Sequence, residues 1–141
     1  MSQLQPRGTP CPTCPYLKSC PSGVWDASEY AKLEAYDRET FRQPAAVFMC
    51  HDARDGTTMC RGWLDTHQKI ELLSLRVAVT KREVSAAVMS LEPSGVPVFA
   101  SGRAAAKHGM RDIRKPGKQA SRVINKLSKR IEGRSDGSVS D

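Results

Sequence analysis

Apolar residues fall at helical spacing in several stretches of the chain and collapse into short runs elsewhere. Asp26, followed three residues later by Glu29, forms a capping-box pattern. It predicts a helix of about 12 residues with Tyr30, Leu33 and Tyr36 on one face and Trp25 stapled onto Tyr30. Ala45-Ala46-Val47-Phe48-Met49, closed by Cys50, reads as a buried strand over 45–50. Leu64, Leu72, Leu73, Leu75, Val77 and Val79 predict a helix over 61–79, with a strand as the alternative at 75–79, where β-branched residues alternate. A second helix or extended segment follows over 81–90, then a turn at Pro93-Ser94-Gly95 and an extended stretch over 97–100. Ser101 caps an alanine-rich helix over 102–111, and Pro116 suits the first position of the last helix. There Ala120, Val123, Ile124, Leu127 and Ile131 form an amphipathic stripe. The polar residues 133–141 are expected to be a disordered tail. These elements predict an α+β fold, a small helix-rich single domain over 1–132 with one short strand.

Composition narrows the class. The chain has 141 residues, of which 39% are hydrophobic, enough for one core and too many for a wholly disordered protein. No apolar run approaches the ~18 residues that a membrane-spanning helix needs. The first 15 residues lack the apolar stretch of a signal peptide, so a cytoplasmic protein is expected.

Charge then splits the chain in two. Residues 1–67 carry seven Lys and Arg against eight Asp and Glu; residues 68–141 carry 15 against seven. Arg111, Arg114, Lys115, Lys118, Arg122, Lys126, Lys129 and Arg130 give the basic half an electrostatic footprint suited to phosphate. The partners it predicts are nucleic acid, bound without sequence preference, or an acidic protein of a host cell; a solvated face that keeps the chain soluble is the alternative. No helix-turn-helix or RNA-binding aromatic motif accompanies the charge. The last helix also lacks the aromatic residues of a membrane-surface helix.

All five cysteines lie in the neutral half: Cys11, Cys14, Cys20, Cys50 and Cys60. An odd number in a cytoplasmic chain argues against a disulfide framework. Cys11-Pro12-Thr13-Cys14 has the spacing that lets two thiolates grip one tetrahedral ion, and its proline-rich surroundings make it a loop, unlike the strand–helix junction of a redox pair. Cys50 at a strand end and Cys60 at a helix start supply a second pair. The leading assignment is a four-thiolate metal site from Cys11, Cys14, Cys50 and Cys60, holding zinc or, alternatively, an iron–sulfur cluster. Cys20, His51 and His67 are the alternative ligands. Catalysis is not expected: the Pro-Cys-x-x-Cys half of a zinc-deaminase pattern is present, but no His-x-Glu occurs in the chain.

Two resemblances bear on this site. Pro10-Cys-Pro-Thr-Cys-Pro15, Pro21-Ser-Gly-Val-Trp25, Phe48-Met-Cys-His51, Cys60-Arg-Gly-Trp63, Leu75-Arg-Val77 and Ala100-Ser-Gly102 resemble a family of small cysteine-rich proteins of unknown function from actinobacteria and their bacteriophages. That resemblance implies that Cys11, Cys14, Cys50 and Cys60 are the family's cysteines, with Cys20 a departure, and names no activity. Separately, Cys11-x2-Cys14-x5-Cys20 with Gly23-Val24-Trp25 resembles part of the signature of the WhiB-like iron–sulfur regulators. This resemblance implies a cluster that uses Cys20 and a role in transcription. The chain departs from that pattern in having no cysteine upstream of Cys11.

Overall fold

The computed structural model describes residues 3–139, and side chains as far as Lys129. Among the described residues, five helices and one two-stranded sheet make a small α+β domain. Strand β1 (Gln5–Pro6) pairs in parallel with β2 (Thr58–Met59), Gln5 opposite Thr58 and Pro6 opposite Met59. The strand expected at 45–50 is reduced to a single bridge between Met49 and Met59. The reason is local: Ala45 and Ala46 are exposed, so only the end of the run reaches the core.

Helix α1 (Ala27–Ala35) starts where the capping pattern placed it, with the Asp26 carboxylate accepting from the Ser28 N–H. It stops three residues short of the expected length. Asp37, just beyond its end, turns instead to cap α4 (Gly102–Met110), accepting from the N–H groups of Gly102 at 2.8 Å and Arg103 at 2.7 Å. Ser101 also caps α4 through Ala104. Helix α4 lies along α1 at close range, because a Cβ on Gly102 would overlap the Leu33 carbonyl and one on Gly109 would overlap the Tyr30 ring.

The helix expected over 61–79 is two helices, α2 (Arg61–Thr66) and α3 (Leu73–Thr80), separated by a 3-10 turn at Lys69–Glu71. The side chain of Gln43 makes the break: its amide donates to the Glu71 carbonyl, and its oxygen accepts from the Leu73 N–H. The alternating stretch 75–79 is helical, and 81–90 is extended at Val84, which bridges in parallel to Leu4, before a short 3-10 turn at Ala86–Ser90. Helix α5 (Lys118–Val139) begins two residues after Pro116 and continues through the stretch expected to be disordered as far as Val139. No proline interrupts that run. Residues 140 and 141 lie outside the described ones.

The buried side chains form one cluster that ignores the division at residue 67, running from Cys11 through Trp63 and Leu75 to Ala120. Trp63, Tyr16, Tyr30 and Leu33 lie at its centre. Among the described residues, no helix is long and apolar enough to cross a membrane.

Candidate metal centre

Four of the five cysteines sit in turns that aim backbone N–H groups at their sulfurs. The Cys11–Cys14 loop is closed by the Cys14 N–H donating to the Cys11 carbonyl at 3.0 Å. Within it, Thr13 offers its N–H to the Cys11 sulfur and Tyr16 offers its own to Cys14. Cys50 receives the N–H groups of Asp52 and Ala53. Cys60 is the N-cap of α2, its sulfur accepting from the Trp63 N–H at 3.4 Å. Every donor lies two or three residues after its cysteine. Such bonds favour the thiolate over the thiol.

The supports of these turns are nonlocal. The Cys50 N–H donates to Thr58 O and the Cys60 N–H to Phe48 O, each at 2.9 Å, so the two cysteines stand at the ends of one loop. The Asp55 carboxylate holds that loop by accepting from the N–H groups of Thr57 and Thr58 and from the Thr58 hydroxyl. Trp25 clamps the other loop through its indole N–H, which donates to the Thr13 carbonyl at 2.7 Å. Trp63, by contrast, belongs to the core.

The sulfurs follow one another in space as Cys50, Cys11, Cys14 and Cys60. Cys14 and Cys60 are 3.6 Å apart, and Cys11 interacts with both Cys14 and Cys50. All are buried and none is in a disulfide. Crowding of thiols shifts their titration. The hydrogen bond with Cys14 and burial push Cys11 well above the usual thiol range. For Cys14, the bond with Cys11 pulls downward, and the Cys60 sulfur together with burial outweighs it. Burial raises Cys50. The sulfurs form a chain of neighbours: among the described residues, no three or more His, Cys, Asp or Glu side chains stand ready-made around one point as a metal site.

Gly62 and Arg61, neither of them among the candidate site residues of the sequence, complete the surroundings. A Cβ on Gly62 would lie 2.5 Å from the Cys14 sulfur and 2.8 Å from the Tyr16 Cβ, so only glycine admits Cys14 beside Cys60. Arg61 is buried and tied down by the Asp65 carboxylate at 2.9 Å and by the carbonyls of Arg7, Gly8 and Glu92. It thereby fastens the N-terminal segment to α2. A small residue wedged between Cys60 and Trp63 was the one available sign of this packing.

The alternative ligands are placed differently from the four. Cys20 accepts no backbone N–H at its sulfur; its thiol donates to the Pro21 carbonyl at 3.8 Å, and burial with the neighbouring Cys11 pushes it up to about 12. His67 has both ring nitrogens engaged, Nδ1 at 2.9 Å from the Trp63 carbonyl and Nε2 at 3.1 Å from Asp37. His51 pairs through Nε2 with Glu29 at 3.0 Å, while its Nδ1 is buried without a hydrogen-bond partner among the described residues. Glu29 therefore serves His51 and Lys32, where the sequence reading had it closing the capping box.

Arg111, Arg114, Lys115, Lys118, Arg122, Lys126 and Lys129 are all exposed, and none is in an ion pair among the described residues. The side chain of Arg130 lies outside the described ones. Helix α5 is anchored to the core by Ala120, with Val123 and Leu127 packed against it. Ile124 is half-buried, and the side chain of Ile131, the last of the expected stripe, lies outside the described ones.

Comparison with known proteins adds one match. The model of a family of unknown function, DUF6283, covers residues 6–130. No curated protein and no solved structure matches the chain.

Proposed function

The chain belongs to the DUF6283 family, whose description names no activity, and from that premise we propose that it is a metal-organised accessory protein, with one zinc ion held by Cys11, Cys14, Cys50 and Cys60 and a basic helical arm that binds a polyanion. The observation that carries the reading is the set of backbone N–H groups aimed at these four sulfurs and at no other cysteine. A thiolate receiving amide bonds from residues two and three places on is poised as a metal ligand.

The spacing supports one ion. Zinc–thiolate bonds of about 2.3 Å in a tetrahedron place sulfurs about 3.8 Å apart, and Cys14 and Cys60 are separated by 3.6 Å. The metal's part is to draw the remaining sulfurs inward and neutralise their charge. An iron–sulfur cluster of WhiB-like type would use Cys20, whose thiol is spent on a carbonyl and lacks the amide bonds. Five free thiols suit a reducing compartment, which makes the cytoplasm the proposed location. An origin in actinobacteria or their phages belongs to the same reading.

The arm is α5 with the turn before it. Its described Lys and Arg side chains, exposed and in no ion pair among the described residues, suit phosphates, and the absence of a base-reading motif makes binding independent of sequence. Nucleic acid is preferred to an acidic protein because the charges run along a helix with little apolar surface for a protein interface. Substitution of cobalt for zinc tests the centre: intense visible and near-ultraviolet thiolate-to-cobalt bands, one equivalent per chain, are expected. Weak bands from oxygen and nitrogen ligation would contradict it.

A further inference from the structure

A cavity of about 550 Å³ opens beside the cysteine centre, on the side of Cys50. That volume falls within the ~300–1,000 Å³ of small-molecule sites. Its walls are apolar, formed mainly by Tyr36, Pro44, Ala46, Val47, Phe48 and Met49. Phe48 and Tyr36 are rigid, buried and packed edge to face at 5.7 Å, so the inner wall is fixed by the core. Tyr36 spends its hydroxyl on the Ala46 carbonyl at 2.6 Å, which removes a polar group from the lining and pins the outer wall.

The polar lining is a small charged set. Glu29 is shared between Lys32 at 3.0 Å and His51 at 3.0 Å, so its negative charge is already met by two donors. Arg54 is exposed and uses only its Nε, which donates to the His51 carbonyl at 3.4 Å; its two terminal nitrogens have no partner among the described residues. Its backbone stands at φ 51°, a left-handed conformation that costs a non-glycine residue energy. Such strain concentrates at ligand clamps. With Lys32, Arg54 gives the lining a formal excess of one positive charge over Glu29.

We propose that this cavity binds a small amphipathic monocarboxylate, its apolar body against Phe48 and Met49 and its carboxylate on Arg54 and Lys32. The charge selects an anion, and the planar guanidinium with free terminal nitrogens suits a carboxylate. The apolar wall selects an aliphatic or aromatic body, and the flexible thioether of Met49 adapts to its shape. None of the contacts requires a cysteine, so the proposal stands independently of the metal.

Isothermal titration of the full-length protein, purified with whatever metal it carries, with decanoate, decanol and decyltrimethylammonium tests this charge preference. Decanoate is expected to bind saturably, about ten-fold more tightly than decanol, with the ammonium weakest, since one charge-assisted bond is worth roughly that factor. R54N keeps a residue tolerant of the left-handed backbone and should reduce decanoate affinity toward that of decanol while leaving decanol unchanged. A46W, at an exposed position, should fill the cavity and abolish both without altering the circular dichroism. Equal affinity for all three probes, preference for the ammonium, binding undiminished in A46W, or no saturable heat from decanoate at millimolar concentration would each overturn the proposal.

Discussion

Gly62 is the residue on which the cysteine centre depends most directly. Its missing side chain is the space occupied by the Cys14 sulfur and by Tyr16. Gly62→Ala should lower stability by about 1–3 kcal/mol, the usual cost of overpacking a core. Urea denaturation checks this, and a wild-type midpoint would contradict the close approach. Asp55 makes a second residue-scale prediction. Hydrogen bonds from the Thr57 N–H, the Thr58 hydroxyl and the Thr58 N–H hold its carboxyl down from 3.8 to about 2. Because the folded value is depressed, the loop's support is fully present above pH 3.8 and is lost as pH falls through about 2. The amide resonances of Thr57 and Thr58 should therefore titrate with a midpoint near 2; a midpoint at the unperturbed 3.8 would show that Asp55 does not hold the loop.

At the scale of elements, the α1–α4 contact depends on glycine in the same way. Alanine normally favours a helix over glycine by up to about 1 kcal/mol. At position 102 its Cβ meets backbone, the carbonyl of Leu33, which cannot swing away as a side chain can. The clash outweighs the propensity, so Gly102→Ala should destabilise by about 1–3 kcal/mol in thermal or urea unfolding; stabilisation would mean that the helices pack further apart. What the sequence disclosed at this scale follows from the range of the interactions involved. Helices α1 and α4 were legible because Asp26 and Ser101 cap them locally. The break between α2 and α3 was not, because the groups that make it belong to Gln43, about 30 residues upstream. The parallel pairing of Gln5 with Thr58 is equally remote and only two residues long, below what any alternation of apolar residues could signal. The Cys11–Cys14 loop was legible from its proline-rich spacing, whereas Gly62, Arg61 and the Glu29–His51 pair required the fold to bring them into place.

For the molecule as a whole, the charge asymmetry along the chain does not divide the fold: one core binds both halves together, and the described Lys and Arg side chains of α5 and the turn before it are exposed. If the arm engages phosphates, affinity for generic duplex DNA should fall steeply with salt. Replacing Lys118, Arg122 and Lys126 by alanine should reduce the slope of log affinity against log salt by about 0.9 for each phosphate contact removed. These residues are exposed, so stability should be unchanged. No binding at low salt, or a slope indifferent to the substitutions, would assign the charge to solubility alone.

In the proposed centre, one ion ties together Cys11, Cys14, Cys50 and Cys60 and leaves Cys20 aside. Elemental analysis of anaerobically purified protein, wild type beside single Cys→Ser variants, tests it most directly. One zinc per chain is expected in the wild type and in Cys20→Ser, with zinc lost from Cys11→Ser, Cys14→Ser, Cys50→Ser and Cys60→Ser. A wild-type chain without zinc, or a Cys20→Ser variant that loses metal as fully as the other four, would contradict it.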